Sequence, residues 1–257
     1  MKAPAIWVGA ASIVAAGVLG FTLPTWAWLP LGIFVLVSLA APFVPTWSYF
    51  LPILAHGRRD SHQVAITFDD GPAPETTPRL LDLLESHGVS ACFFVTGDNV
   101  TAHPQLARSI VERGHEMGNH STTHDPILML RTRARLEREV DGCQEALAAL
   151  GIQTRMFRPP VGITNPRLGP VLGHRKMTCV TFSLRPWDGG NRRLHNLAYR
   201  VLRRVSPGDV ILLHDRSPHH PYTVDAWLAE VDTILSGLVS KGLTVVSLSS
   251  LLQEDLR

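Results

Sequence analysis

The chain has 257 residues, a formal net charge of +2 and 45% hydrophobic residues. A balance this near neutral gives no electrostatic footprint for nucleic acid. Three cysteines without paired spacing (Cys92, Cys143, Cys179) read as small core residues, not as a disulfide or zinc framework.

The charge is unevenly spread. Between Lys2 and Arg58 there is no Lys, Arg, Asp or Glu, and every acidic residue follows Arg59. This boundary divides the chain into a membrane anchor, residues 1–59, and a globular body, residues 60–257, long enough for one α/β domain. The anchor holds two apolar segments, about 5–23 and 26–45. Each is close to the ~20 residues that a helix needs to cross the hydrocarbon core. Pro24 and Thr25 separate them and allow a tight turn, and Trp26, Trp28, Trp47 and Tyr49 stand near their ends, where interfacial aromatics are favoured. Two membrane helices are expected; a cleaved signal peptide is the rival for the first segment. A hairpin would put Lys2 and Arg58/Arg59 on one side of the bilayer.

In the body, apolar runs alternate with amphipathic ones. Strands are predicted at Val64–Phe68 and in "ACFFVTG", with a helix over Thr77–His87 between them. Helices follow at His103–Arg113 and Leu128–Leu150, and short strands at Thr154–Phe157 and Met177–Phe182. Asn191–Arg204 reads as a basic amphipathic helix, "DVILLHD" as a buried strand, Val224–Val239 as a helix and "LTVVS" as a last strand. Repeated strand–helix units mean parallel strands covered by helices. In barrels of this type the chemistry sits at the carboxyl ends of the strands, where Asp69, Asp70, Arg158 and His214 fall.

Four short stretches carry chemistry. "TFDDGP" ends a strand on two adjacent carboxylates, Asp69 and Asp70. Alone it is an ordinary turn, since Asp-Gly and Gly-Pro both break chains; if buried, the pair needs positive compensation. "HSTTH" spaces His120 and His124 four apart, which on a helical turn brings both imidazoles within reach of one ion. With a carboxylate they would form a set of three that leaves positions open for water and substrate. In "RPPVG", Arg158 follows a strand and can grip a carboxylate through two hydrogen bonds. In "ILLHD", His214 ends an apolar strand; a satisfied structural histidine is the bland alternative.

Together, in this order, the four motifs resemble the polysaccharide deacetylase family, also called the NodB-homology domain or carbohydrate esterase family 4. The resemblance runs from about Val64 to Leu252. It implies an α/β fold, a distorted (β/α) barrel, here preceded by one or two transmembrane helices. It implies a divalent cation, with Zn2+ the first choice, held by Asp70, His120 and His124. It makes Asp69 the catalytic base, held by Arg158 in bidentate fashion, and His214 the acid that protonates the departing amine. It places the backbone N–H of Val161 in the oxyanion site, and Trp187 and Leu212 in the acetyl pocket. The implied reaction is hydrolysis of an N-acetyl amino sugar. The implied partners are an N-acetylated glycan or a lipid-linked sugar, and the membrane; no protein partner is evident.

Departures accompany the matches. Val161 stands where members often carry Tyr, and in "FSLRPWDGG" the family's two aspartate positions read Ser183 and Pro186. The second aspartate normally charges the acid histidine, so the His214 pKa is expected to fall unless Asp188 or Asp215 substitutes. A non-catalytic carbohydrate-binding relative and a metallophosphatase built on the Asp pair are the competing readings. The substrate stays open among peptidoglycan, chitin-like oligomers and lipid-linked amino sugars, with acetyl or formyl as the acyl group. The body is expected on the extracytoplasmic face.

Overall fold

The computed structural model describes residues 4–253. Two apolar helices come first, α1 (Pro4–Thr22) and α2 (Leu29–Ala40), followed by strand β1 (Ile53–Leu54). The body continues through β2 (Gln63–Asp69), α3 (Thr77–Ser86), β3 (Cys92–Val95), α4 (Gly97–Ala102), α5 (Pro104–Glu112) and β4 (Glu116–Asn119). Then come α6 (Arg133–Ala148), β5 (Met156–Phe157), α7 (Leu168–His174), β6 (Thr178–Val180) and α8 (Leu197–Leu202). The chain closes with β7 (Val210–His214), α9 (Val224–Ser240), β8 (Thr244–Val245) and α10 (Leu248–Leu252).

The strands form one parallel sheet in the order β1-β6-β5-β4-β3-β2-β7, with β8 on β2. Among the described residues its two outer strands do not pair as a ladder; an antiparallel bridge from His56 to Asp209 ties their neighbourhoods together, with a parallel bridge from Leu184 to Ile211 beside it. The resemblance implied a distorted (β/α) barrel, and the structure is a half-barrel of that kind, built on parallel strands. β1 lies before residue 60, and Tyr49, Leu51 and Ala55 are buried with it, so the sheet begins inside the stretch that charge alone gave to the anchor.

Side-chain alternation along the strands explains where the site sits. Val64, Ile66 and Phe68 of β2, with Ile211 and Leu213 of β7, join the larger core under the helices, alongside Trp227, Val231 and Leu235 of α9. The alternate residues Ala65, Val210 and Leu212 face the barrel interior with Cys92, Phe94, Met156, Val180 and Phe182. Thr67, Asp69 and His214 continue that inner row by the same period. Burial on both faces is why these strands read as apolar runs and not as alternating ones.

Several predicted elements change. The helix expected over Leu128–Leu150 starts only at Arg133: residues 128–130 form a separate tight turn, and the Thr132 hydroxyl caps the Arg135 N–H. The helix expected over Asn191–Arg204 shrinks to α8, because Asn191 and Asn196 both take left-handed backbone that a helix cannot propagate. β1, β4, α4, α7 and α10 went unpredicted; they are short or carry mixed polarity, so periodicity is weak there.

α1 and the segment Pro24–Phe43 are each long and apolar enough to cross a membrane, α1 spanning ~28 Å at the usual helical rise. Their side chains face outward: Trp7, Phe21 and Leu36 are all exposed. Lys2 lies outside the described residues. The open end of the hairpin is fixed to the body by Ala5 N–H on Tyr49 O (3.1 Å), Ser38 Oγ beside Tyr49 Oη (2.9 Å), Thr164 N–H on Pro42 O (3.2 Å) and Thr181 Oγ1 on Pro45 O (2.6 Å).

Candidate active site

Asp69 ends β2 and His214 ends β7, and the two are direct partners in the parallel register. Asp70, His120 and Arg158 each follow directly on a strand end, of β2, β4 and β5 respectively. All five stand at the carboxyl rim of the sheet, as its topology requires.

Asp70, His120 and His124 each offer a ligand atom, and these atoms lie within 4.8 Å of one another. Asp70 Oδ1 is 3.3 Å from His124 Nε2 and 3.7 Å from His120 Nε2. That oxygen is buried and has no hydrogen-bond partner among the described residues. An unpartnered buried carboxylate oxygen facing two imidazole nitrogens fits a cation. His120 Nδ1 lies 2.8 Å from the Arg158 carbonyl, so it carries the proton and leaves the Nε2 lone pair toward the centre. Burial lowers the His120 pKa against the pull of Asp69 and keeps it neutral, as a ligand must be. Burial opposes ionisation of Asp70, but His120, His214, His124 and Arg216 outweigh it and hold that carboxyl below its usual range.

The two histidines do not sit on a helical turn, as their spacing suggested. Ser121 and His124 adopt φ of 69° and 54°, and a loop, not a helix, brings the rings to 4.9 Å. The loop is pinned from beneath. Buried Glu139 accepts from the N–H groups of Thr122 and Thr123 and from Thr123 Oγ1, and Asn119 accepts from Ser121 N–H. Asp70 also has positive φ, at 76°. Left-handed backbone at three neighbouring site positions is strain that the surrounding bonds hold in place.

Arg158 is fully buried and reaches Asp69 Oδ1 through Nη1 at 2.6 Å. The bidentate grip expected from sequence is not formed. Nη1 also donates to Thr67 Oγ1 (2.7 Å), Nη2 to Thr181 O (2.8 Å) and Nε to Val180 O (3.3 Å). The guanidinium, lying 3.8 Å from the Phe94 ring centroid, joins β2, β5 and β6 while giving Asp69 one charge-assisted bond. Asp69 Oδ2 is left facing His120 Nε2 at 3.6 Å.

His214 Nδ1 meets Asp188 Oδ2 at 2.7 Å. The missing aspartate at Pro186 is thus replaced by Asp188, two positions later. Burial pushes the His214 pKa down, but the Asp188 charge and hydrogen bond, with Asp70 and Asp69, outweigh it and raise it. This corrects the expected fall. Asp215 takes another role: it is buried, accepts from Thr76 Oγ1 and Thr77 Oγ1 at 2.6 Å each, and burial pushes its carboxyl up to about 6.

A cavity of about 190 Å³ joins Asp69, Asp70, His120, His124, Leu212 and His214. Val161 lines it with φ 55°, costly for a β-branched residue, and its N–H meets no acceptor among the described residues. Trp187 does not line this cavity; it is 60% exposed and borders a neighbouring one, stacked under Arg185 at 4.7 Å. Sequence reasoning missed Arg216, whose Nη1 lies 3.3 Å from Asp70 Oδ2, and Arg185, Arg192 and Phe182, which also line the cavity. A basic residue two positions after "LLH" was the available signal for Arg216.

The family model for polysaccharide deacetylase matches residues 56–180. The chain is 38% identical over 157 residues to a chitooligosaccharide deacetylase of Sinorhizobium fredii, covering 60% of this chain and 73% of that one. It is 31% identical over 200 residues to the peptidoglycan-N-acetylglucosamine deacetylase PgdA of Listeria monocytogenes, which is 77% of this chain but only 41% of that longer protein. A solved structure of the Bc1960 peptidoglycan N-acetylglucosamine deacetylase superposes with a TM-score of 0.71 at 31% identity, over 80% of this chain and 94% of that one. The chain belongs to the polysaccharide deacetylase family. Asp188 and His214 lie beyond the stretch that the family model matches, and their pairing is read from the geometry.

Proposed function

We propose that this protein hydrolyses the N-acetyl group of an amino sugar, using a divalent cation, Zn2+ by preference, held by Asp70, His120 and His124. The observation that carries the reading is the register of Asp69 with His214 across β2 and β7, flanking the ligand set. A base and an acid on adjacent strand ends suit an amide, which needs a nucleophile made and an amine protonated.

The cation, when bound, would supply Lewis-acid polarisation of the carbonyl and a lowered pKa for water. Asp69, made acceptor by its Arg158 bond and close to His120, takes the proton of the attacking water. The Val161 N–H, free and at the cavity wall, donates to the oxyanion. His214, kept protonated by Asp188, gives its Nε2 proton to the leaving nitrogen. The closed interior around Phe94, Phe182 and Leu212 excludes bulk water and strengthens each of these interactions.

The relatives' substrates support N-acetylglucosamine as the sugar and, because cell-wall glycans lie outside the cell, a body on the extracytoplasmic face; the two apolar helices support membrane attachment. The test is acid release by purified protein from acetylated and formylated chitooligosaccharide and peptidoglycan fragments. Each is measured after chelation and after reloading with Zn2+. Release that survives complete chelation overturns the metal role. No release from any substrate, with metal bound, favours a carbohydrate-binding relative.

A further inference from the structure

Beside the catalytic cavity lies a second one of about 470 Å³. The two share Val161, Gly162, Phe182 and Arg185. The far wall of the larger one comes from the end of the apolar hairpin: Phe43, Pro45 and Thr46. That wall is built, not draped, because Thr181 Oγ1 bonds Pro45 O and Thr164 N–H bonds Pro42 O. Thr181 also accepts from Arg158, so one residue contacts both the catalytic arginine and the anchor.

The lining combines apolar surface with two arginines, Arg185 and Arg204. Neither makes a side-chain ion pair or hydrogen bond among the described residues, and Arg185 Nε is buried without a partner. Their surroundings offer no local neutralisation. From Arg185 to Arg216 the chain carries seven arginines and three acids. The acids, Asp188, Asp209 and Asp215, are all buried and already engaged. Arg185 lies over the Trp187 and Phe182 rings and Arg204 is exposed, so both guanidinium groups remain open to an anion, and an anion with a hydrocarbon neighbour matches the charge and the apolar wall together. The position agrees, since the open end of a membrane-length hairpin lies at headgroup height.

We propose that the larger cavity receives the phosphate and the first part of the lipid of a lipid-linked amino sugar, so that its N-acyl sugar enters the catalytic cavity from the bilayer surface. This rests on the amide-hydrolase reading and names its substrate class. Arg185 and Arg204 hold the phosphate; Phe43, Pro45, Val161 and Trp187 flank the lipid.

The test uses the full chain, loaded with Zn2+, in nanodiscs of neutral lipid. Three substrates are compared by acetate release: N-acetylglucosamine joined through phosphate to a polyprenyl chain, N-acetylglucosamine 1-phosphate, and chitotetraose. The lipid-linked sugar should exceed the other two in kcat/KM by about tenfold or more. Arg185→Gln and Arg204→Gln should each reduce its preference over chitotetraose by about fivefold or more, chiefly through KM. Polyprenyl phosphate, which has no amide, should quench tryptophan emission, and the two variants should weaken that binding. Hydrolysis of chitotetraose without preference for, or binding of, the lipid phosphate overturns the inference and leaves the hydrolase reading standing. Binding of polyprenyl phosphate, weakened in both variants, with no hydrolysis of any substrate, keeps the anion site and sinks the hydrolase reading. Equal rates on the free and lipid-linked phosphates overturn the lipid assignment.

Discussion

The His214 imidazole and the Asp188 carboxylate meet at 2.7 Å, Nδ1 to Oδ2, with Asp188 buried. A buried carboxylate accepting from Nδ1–H orients the ring and favours the imidazolium, in which Nε2 carries the proton that the proposed acid would donate. It also raises the His214 pKa, so the acid form survives to higher pH than burial alone would allow. Asp188→Asn removes the charge and keeps the shape. The basic limb of kcat should then shift toward acid, with turnover near neutrality down by ~10²-fold. Pro186→Asp should leave the limb where it is. A pH profile in which Pro186→Asp moves the limb and Asp188→Asn does not would contradict this assignment.

The carboxylates of Asp69 and Asp70 both face His120 Nε2, but Arg158 bonds Asp69 while His124 meets Asp70. Asp70→Ala, His120→Ala and His124→Ala should each lose bound metal and activity together. Asp69→Asn should retain the metal and lose ~10²-fold or more in turnover. Metal content by atomic absorption, measured beside acetate release, checks the division; loss of metal from Asp69→Asn alone would reverse the roles.

Arg158 satisfies a carboxylate, a hydroxyl and two carbonyls in a fully buried position. A lysine has the charge but not the planar fork. Arg158→Lys should lower turnover sharply and cost about 1–3 kcal/mol, the usual result of leaving buried acceptors unpaired. Urea unfolding and kinetics on one preparation read both effects. Near-normal turnover would make Arg158 a purely structural tie.

A Cβ at Gly71 would come within 2.4 Å of Asp215 Oδ2. Gly71→Ala must therefore move either the loop carrying Asp70 or the carboxylate that accepts from Thr76 and Thr77. Overpacking of this kind costs about 1–3 kcal/mol, and activity should fall with it. Asp215→Ala in the Gly71→Ala background should recover part of the lost activity. Full activity in Gly71→Ala would show that the loop tolerates displacement.

An extracytoplasmic body predicts cleavage by added protease in spheroplasts. Protection in spheroplasts and degradation only after lysis would place it on the cytoplasmic side.

Much of the molecule was already legible in the chain. The apolar leader, the parallel strand–helix body and the positions of Asp69, Asp70, His120, His124, Arg158 and His214 follow from charge distribution, hydrophobic runs and four ordered motifs. These signals are local: a buried strand needs a continuous apolar run, and a strand-end side chain is named by its place after that run. The tertiary structure alone decided which partners those side chains take. Asp188 reaches His214 because the 185–196 segment folds back on left-handed turns at Trp187, Asn191 and Asn196, which hydrophobic periodicity does not register. Arg158 spends three of its bonds on acceptors other than Asp69 because β2, β5 and β6 converge around it. The hairpin closes a cavity against residues more than a hundred positions away, Val161 and Arg204 among them. Such contacts depend on the curvature of the sheet and the path of the loops, and neither is encoded in the spacing of residues along the chain.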